Sequence, residues 1–209
     1  MKKIIKITKN KTFNISPEII KNCIYPSKFC DYTQFNSTRS HPHAGINRGV
    51  FKENPSGYIT INNTNWDLRP GVKFTDLLEF KALKNHFTGK QNWKKSHFAL
   101  RNIKFIKKNN KVRGFTNFKN FLIEREKKID QLFDSILKHG VKPVNTRKNK
   151  KLFIDNISVA LTKKNNLYFN NRGHHRLAIA KLLNIKVIPI KITITKSEKN
   201  LEKFLNKNN

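Results

Sequence analysis

The sequence predicts an α+β fold, a small mixed sheet with helices packed on it. Three observations predict this. An apolar stripe of helical period runs from Phe118 to Leu137. Beyond roughly residue 150 the apolar period changes from 3.6 to 2. Between Leu167 and Leu183 a strand-like run passes through Gly173 directly into a helix-like run.

The elements follow in order. The 209 residues suit one domain, or one domain with an elaborated N-terminal half. Four segments are expected: an irregular stretch over 1–65 with short strands and a long basic loop, a helical region over 66–140, a strand–helix–strand core over 141–195, and a polar tail over 196–209. Lys3–Thr8 reads as an edge strand blunted by lysines. Ser16-Pro17-Glu18 opens a short helix with a Ser cap and Pro in its first turn. Residues 31–57 lack periodicity and read as a long loop carrying Arg39, His41, His43, Arg48 and Lys52. Two histidines without acidic or Cys partners do not make a metal site, so no metal ligands are assigned. Cys23 and Cys30 have the spacing of neither a zinc knuckle nor a redox pair.

Tyr58–Ile61 alternates as a strand does and is followed by a turn at Asn65-Trp66-Asp67. A helix over 75–87 is expected from Thr75 as its cap, with Leu77, Phe80, Leu83 and Phe87 near one face. A second is expected over 95–107, anchored by Phe98, Ile103 and Ile106. The strongest helix runs from a cap at Thr116 or Asn117 to Gly140, with Lys138 and His139 suiting the helix dipole at its end. Its Phe121, Leu122, Leu132 and Ile136 are expected to pack on the sheet. Ile154–Leu161 and Leu167–Phe169 read as a hairpin around Asn165-Asn166. A short helix over Arg176–Leu183 follows, then a strand over Val187–Ile194, whose Pro189 suggests a sheet edge or a strand start. Residues 196–209 read as a frayed helical tail.

Charge narrows the partners. Lys and Arg number 44 against 13 Asp and Glu, a net charge of +31. Such a field favours polyanions, nucleic acid above all. Codon bias in an AT-rich genome would also enrich Lys, Asn, Ile and Phe, but it would not remove glutamate. No apolar run approaches the roughly 18 residues of a membrane span. Met1–Ile7 is too short and too charged for a secretory leader. A cytoplasmic protein without a membrane partner is therefore expected.

The segment from Leu167 to Leu183 carries the chemistry. A helix that starts immediately after a glycine turn presents its first N–H groups, and the positive end of its dipole, to an anion. Gly173 permits positive φ or a close backbone approach. His175 and Arg176 fall in the first turn, with Arg172 and His174 adding positive character, so Arg172, Gly173, His174, His175 and Arg176 form the expected phosphate or nucleotide site. Lysines spread over the helical half, together with Lys142, Arg147, Lys148, Lys150 and Lys151, form an expected nucleic-acid surface.

Around that turn lie Leu132, Ser135 and Ile136, then Gly140 and Pro143, then Ile157-Ser158-Val159, Gly173-His174-His175-Arg176-Leu177 and Val187-Ile188-Pro189-Ile190. In this order they resemble the N-terminal domain of the ParB/sulfiredoxin superfamily, over about residues 130 to 194. The resemblance implies a ParB/sulfiredoxin-like core, with the preceding helices as an N-terminal extension similar to one in ParB-like nuclease-domain proteins that lack a helix-turn-helix domain. The chain also departs from the pattern. His174 stands where sulfiredoxins have their Cys, so thiol phosphorylation is not expected. Arg172 stands where most relatives have Asp, which puts metal-dependent catalysis in doubt. Only 15 residues follow Ile194, so no helix-turn-helix reader is expected.

Three functions are compatible with this. The first is sequence-independent nucleic-acid binding, with nuclease chemistry if His175 moves a proton to a leaving oxygen and Arg176 stabilises phosphorane charge. The second is a nucleotide-dependent phosphotransferase, which needs a carboxylate base, for which Asp155, Glu124 and Asp67 are candidates. The third is a non-catalytic nucleotide switch. The resemblance implies ATP or CTP as the nucleotide, with magnesium as its companion. Charge favours the first, since a small-molecule kinase does not need +31.

Overall fold

The computed structural model describes residues 12–24, 59–60, 72–109, 115–143, 156–170 and 173–208. The expected strand at Lys3–Thr8, the 31–57 loop, the Asn65-Trp66-Asp67 turn, Cys30, Arg172 and the Arg147–Lys151 run lie outside them. The fold is α+β.

Its centre is a mixed sheet. The strands are β1 (Phe13–Ile15), β2 (Asn22–Cys23), β3 (Ile59–Thr60), β4 (Ile157–Leu161), β5 (Leu167–Phe169) and β6 (Ile188–Thr195). They run in the order β1-β6-β4-β5-β2, with β3 also on β6. β4 and β6 are parallel, pairing Ile157 with Ile190 and Val159 with Ile192. The register then slips, setting Ala160 against Ile194 and leaving Thr193 as the extra residue of a bulge. All five β4 residues are buried, so its sequence loses the in-out alternation of a half-exposed strand. β5 returns antiparallel to β4 through Asn165, whose φ of 62° is the left-handed conformation that Asn tolerates.

Pro189 is not at an edge. It occupies the second position of the central β6, opposite Asn14, and pairing with β4 starts one residue later, at Ile190. The missing N–H thus falls outside the β4 ladder, and Pro189 marks a strand start.

The helices are α1 (Leu78–Phe87), α2 (His97–Asn109), α3 (Phe118–His139), α4 (His174–Leu182) and α5 (Glu198–Asn208). Thr75 does not cap α1. A 3-10 turn at Phe74–Asp76 and an extended Leu77 precede the helix, because Phe74 and Leu77 are buried there. Asn117 caps α3 by accepting from the N–H groups of Lys119 and Asn120. Gly140 closes it at φ 67°, donating to Ile136 O.

The α3 stripe covers helices more than sheet. Ile129 joins the main core, but Phe121 and Leu122 pack with Ala99 and Ile106 of α2 in a second cluster. Leu137, assigned to the stripe, is 57% exposed. α4 lies against β4, α1 and α3, between α3 and the sheet.

The C-terminal segment is not a frayed tail. Leu201, Phe204 and Leu205 of α5 are buried in the main core, and Phe204 meets Phe13 edge-on at 5.9 Å between ring centres. Their spacing gives one apolar face, and burying each such side chain is worth about 1.5–3 kcal/mol. Cys23 is buried in β2 as a thiol. One core gathers residues from Phe13 to Leu205, so the sequence segments share their packing.

Candidate anion-binding site

α4 begins at His174, two residues earlier than its apolar period suggests, because Gly173 is its cap. Gly173 adopts φ 74° and ψ 22°, the left-handed conformation. It also lies on the start of β4: a Cβ there would stand 2.7 Å from Ile157 Cα and 2.8 Å from Ile157 N. Both facts demand glycine, the first through backbone strain and the second through overlap with backbone that cannot move aside. This contact seats the first turn of α4 on the end of the sheet.

The first turn carries no side-chain cap. His174, His175 and Arg176 sit on it half-buried. Nε2 of His174 is 3.1 Å from Nε2 of His175, with ring centres 3.8 Å apart. One ring must donate and the other accept in that contact. Arg176 donates from Nη1 to Lys142 O at 3.0 Å, which ties the turn to the chain leaving α3. Of the sequence-predicted residues, Gly173, His174, His175, Arg176 and Lys142 are therefore brought together, Lys142 through its backbone and with its side chain exposed. Lys181, on the opposite end of α4, is nearly buried and pairs with Glu18 at 3.7 Å. Burial pushes its ammonium below the ordinary lysine range, and Glu18 opposes that shift.

The donor set suits an anion and does not suit magnesium. The turn offers backbone N–H groups, imidazoles and a guanidinium, whereas magnesium takes oxygen ligands. Among the described residues no group of three or more His, Cys, Asp or Glu could hold a metal ion. Of the candidate bases, Glu124 lies on α3 in an i,i+4 ion pair with Lys128 at 3.2 Å, while Asp155 and Asp67 lie outside the described residues.

Two polar groups missed in the sequence lie just upstream. Asn170 donates from its backbone to Ser158 O and from Nδ2 to Thr193 Oγ1, both at 2.8 Å. Ser158 and Asn170 are 2% and 5% exposed, and Ser158 Oγ and Asn170 Oδ1 have no hydrogen-bond partner. Ser158 is marked only as part of the Ile157-Ser158-Val159 strand and Asn170 by no motif, because their meeting depends on the β4–β5 register.

A further histidine, His86 on α1, also stands by charge. Its Nδ1 is 2.9 Å from Gln91 O and its Nε2 is 3.1 Å from Asp130 Oδ1 on α3. It stacks on Trp93 at 4.1 Å. Both neighbours are acceptors, so both ring nitrogens are engaged and this His–Asp pair ties helices together. One turn along α3, burial and then the charge of Asp130 raise the Glu126 carboxyl above the usual range, while His86 and Lys94 act against that shift.

Compared with known proteins, the chain matches no family model, no curated protein and no solved structure. Among the described residues no helix is long and apolar enough to cross a membrane.

Proposed function

We propose that this protein binds nucleic acid without sequence preference, and that the Gly173–Arg176 turn holds one of its phosphates. The observation that carries the reading is the start of α4: a left-handed glycine, no side-chain cap and a first turn bearing His174, His175 and Arg176. Helix N-termini of this kind bind phosphate through backbone N–H groups and the dipole. The net charge of +31 supplies long-range attraction. We also infer membership of the ParB/sulfiredoxin superfamily, supported by the hairpin, Gly turn, helix and parallel strand that follow one another from β4 to β6. A nucleotide, ATP or CTP, would seat its phosphates on the same turn. Hydrolysis at a phosphate held there would use His175 for proton transfer and Arg176 for charge stabilisation, with no step through magnesium.

The test is phosphate affinity. Arg176→Ala is expected to weaken inorganic phosphate or nucleotide binding by about 1.5–3 kcal/mol, as for a lost charged hydrogen bond. Arg176→Lys retains charge but loses the fork and should fall between. Calorimetry on the three proteins checks this. Equal affinities would leave Arg176 as a tether for the Lys142 segment and defeat the reading.

A further inference from the structure

We propose that the solvent face of α2 is the main contact of this protein with the backbone of a nucleic-acid duplex, separate from the α4 turn. The inference rests on the nucleic-acid reading above. Leu100, Lys104, Lys107 and Lys108 are exposed, at spacings that keep them within an arc of about 100°. Ala99, Asn102 and Ile106 are buried on the opposite side, and Ile106 packs with Phe121 and Leu122 of α3. The packing of α2 on α3 thus leaves the lysine face outward.

The charge on this face differs from an ordinary solvated coat. On α3 the exposed face mixes signs, as in the Glu124–Lys128 pair. α5 interleaves Glu198 and Glu202 with its lysines, and near α1 Lys81 faces Asp76 at 3.9 Å. α2 has no acid, and no Asp or Glu occurs anywhere between Glu79 and Glu124. Lys104 repels Lys107 at i,i+3 and Lys108 at i,i+4, which works against the helix in isolation. Lys107 and Lys108 regain some of this at the C-terminal end of the dipole, but Lys104 lies outside the last turn. A row of phosphates relieves both repulsions.

The face also points to a duplex. Lys104 to Lys108 spans about 6 Å of helix axis, and a duplex carries one charge per about 1.7 Å. Single strands are gripped largely by stacking bases on aromatic side chains. The large exposed apolar side chains among the described residues are aliphatic: Ile19, Leu100, Ile123, Leu137 and Val187.

The test uses the full chain and a mixed-sequence duplex, with fluorescence anisotropy across a salt series. The variants are Lys104→Gln/Lys107→Gln/Lys108→Gln and, as a control with the same net charge, Lys164→Gln/Lys199→Gln/Lys203→Gln on other exposed positions. Circular dichroism confirms that both fold. The α2 variant is expected to lower the salt slope by about 2–3, about 0.9 per lost contact, while the control retains the wild-type slope. Inorganic phosphate affinity should be unchanged in both. Equal loss in the two variants would assign binding to overall charge and overturn the proposal, as would tighter wild-type binding to a single strand of the same sequence. A wild type that binds duplex while the α2 variant retains the full slope overturns the α2 assignment alone. A wild type that binds no duplex overturns the nucleic-acid reading with it.

Discussion

The turn into α4 and the junction of α1 with α3 both set histidine beside charge, and they are built in opposite ways. At α4 the backbone decides. Gly173 must be left-handed and must touch Ile157, and only then do His174, His175 and Arg176 converge. At the α1–α3 junction side chains decide. His86 finds Asp130, 44 positions away, because Trp93 and Phe133 pack its neighbourhood, Phe87 stacking on Phe133 at 3.9 Å. The first arrangement leaves a helix terminus without a side-chain cap, while the second spends both ring nitrogens on internal acceptors. A histidine near charge is thus a weak sign of function, and the groups that its nitrogens already hold decide what it can do.

Three perturbations separate these regions, beginning with the largest expected effect. Phe121→Ala empties the small α2–α3 cluster and should cost about 3–5 kcal/mol in urea unfolding, with phosphate affinity of the folded protein unchanged. A parallel fall in affinity would show that the helical layer and the α4 turn act as one unit. Gly173→Ala should cost more than Gly140→Ala by about 1–3 kcal/mol, the overlap with Ile157 being the extra term. Both glycines have positive φ, but a Cβ at Gly140 would meet nothing within 4 Å. Equal losses would remove the close approach as a requirement, and Gly173→Ala with intact phosphate binding would remove the turn from the site.

The smallest effect is a pH dependence. Because burial and Asp130 raise the Glu126 carboxyl, the folded chain holds that proton more tightly than the unfolded chain. Its contribution to stability is therefore complete below the ordinary glutamate value of about 4.3 and is lost as pH rises through the higher folded value. Glu126→Gln does not titrate, so wild type should lose stability relative to the variant as pH rises from acid towards neutral. Unfolding midpoints across that range check the sign. A variant that loses ground instead would mean that the ionised Glu126 is stabilised by His86 and Lys94.

The sequence by itself determined what depends on neighbours along the chain. The Asn117 cap, the Gly140 stop, the Asn165 turn and the strand–Gly173–helix order all follow from the chemistry of a few consecutive residues, and each stands where its motif is. Local signals fell short wherever a distant surface chose the outcome. Leu77 breaks the helix that Thr75 seemed to cap, because the core takes Phe74 and Leu77. Of the two places that Pro189 allowed, a sheet edge or a strand start, only the pairing with β4 selects the strand start. The polar 196–209 segment becomes α5, because the main core offers its Leu201, Phe204 and Leu205 a place, Phe204 against Phe13. The meeting of Ser158 with Asn170, of Arg176 with Lys142 and of His86 with Asp130 exists only once strand register and helix packing are set. The physical reason is range: caps and turns are fixed by backbone sterics over about four residues, whereas burial and pairing compare every segment with all the others.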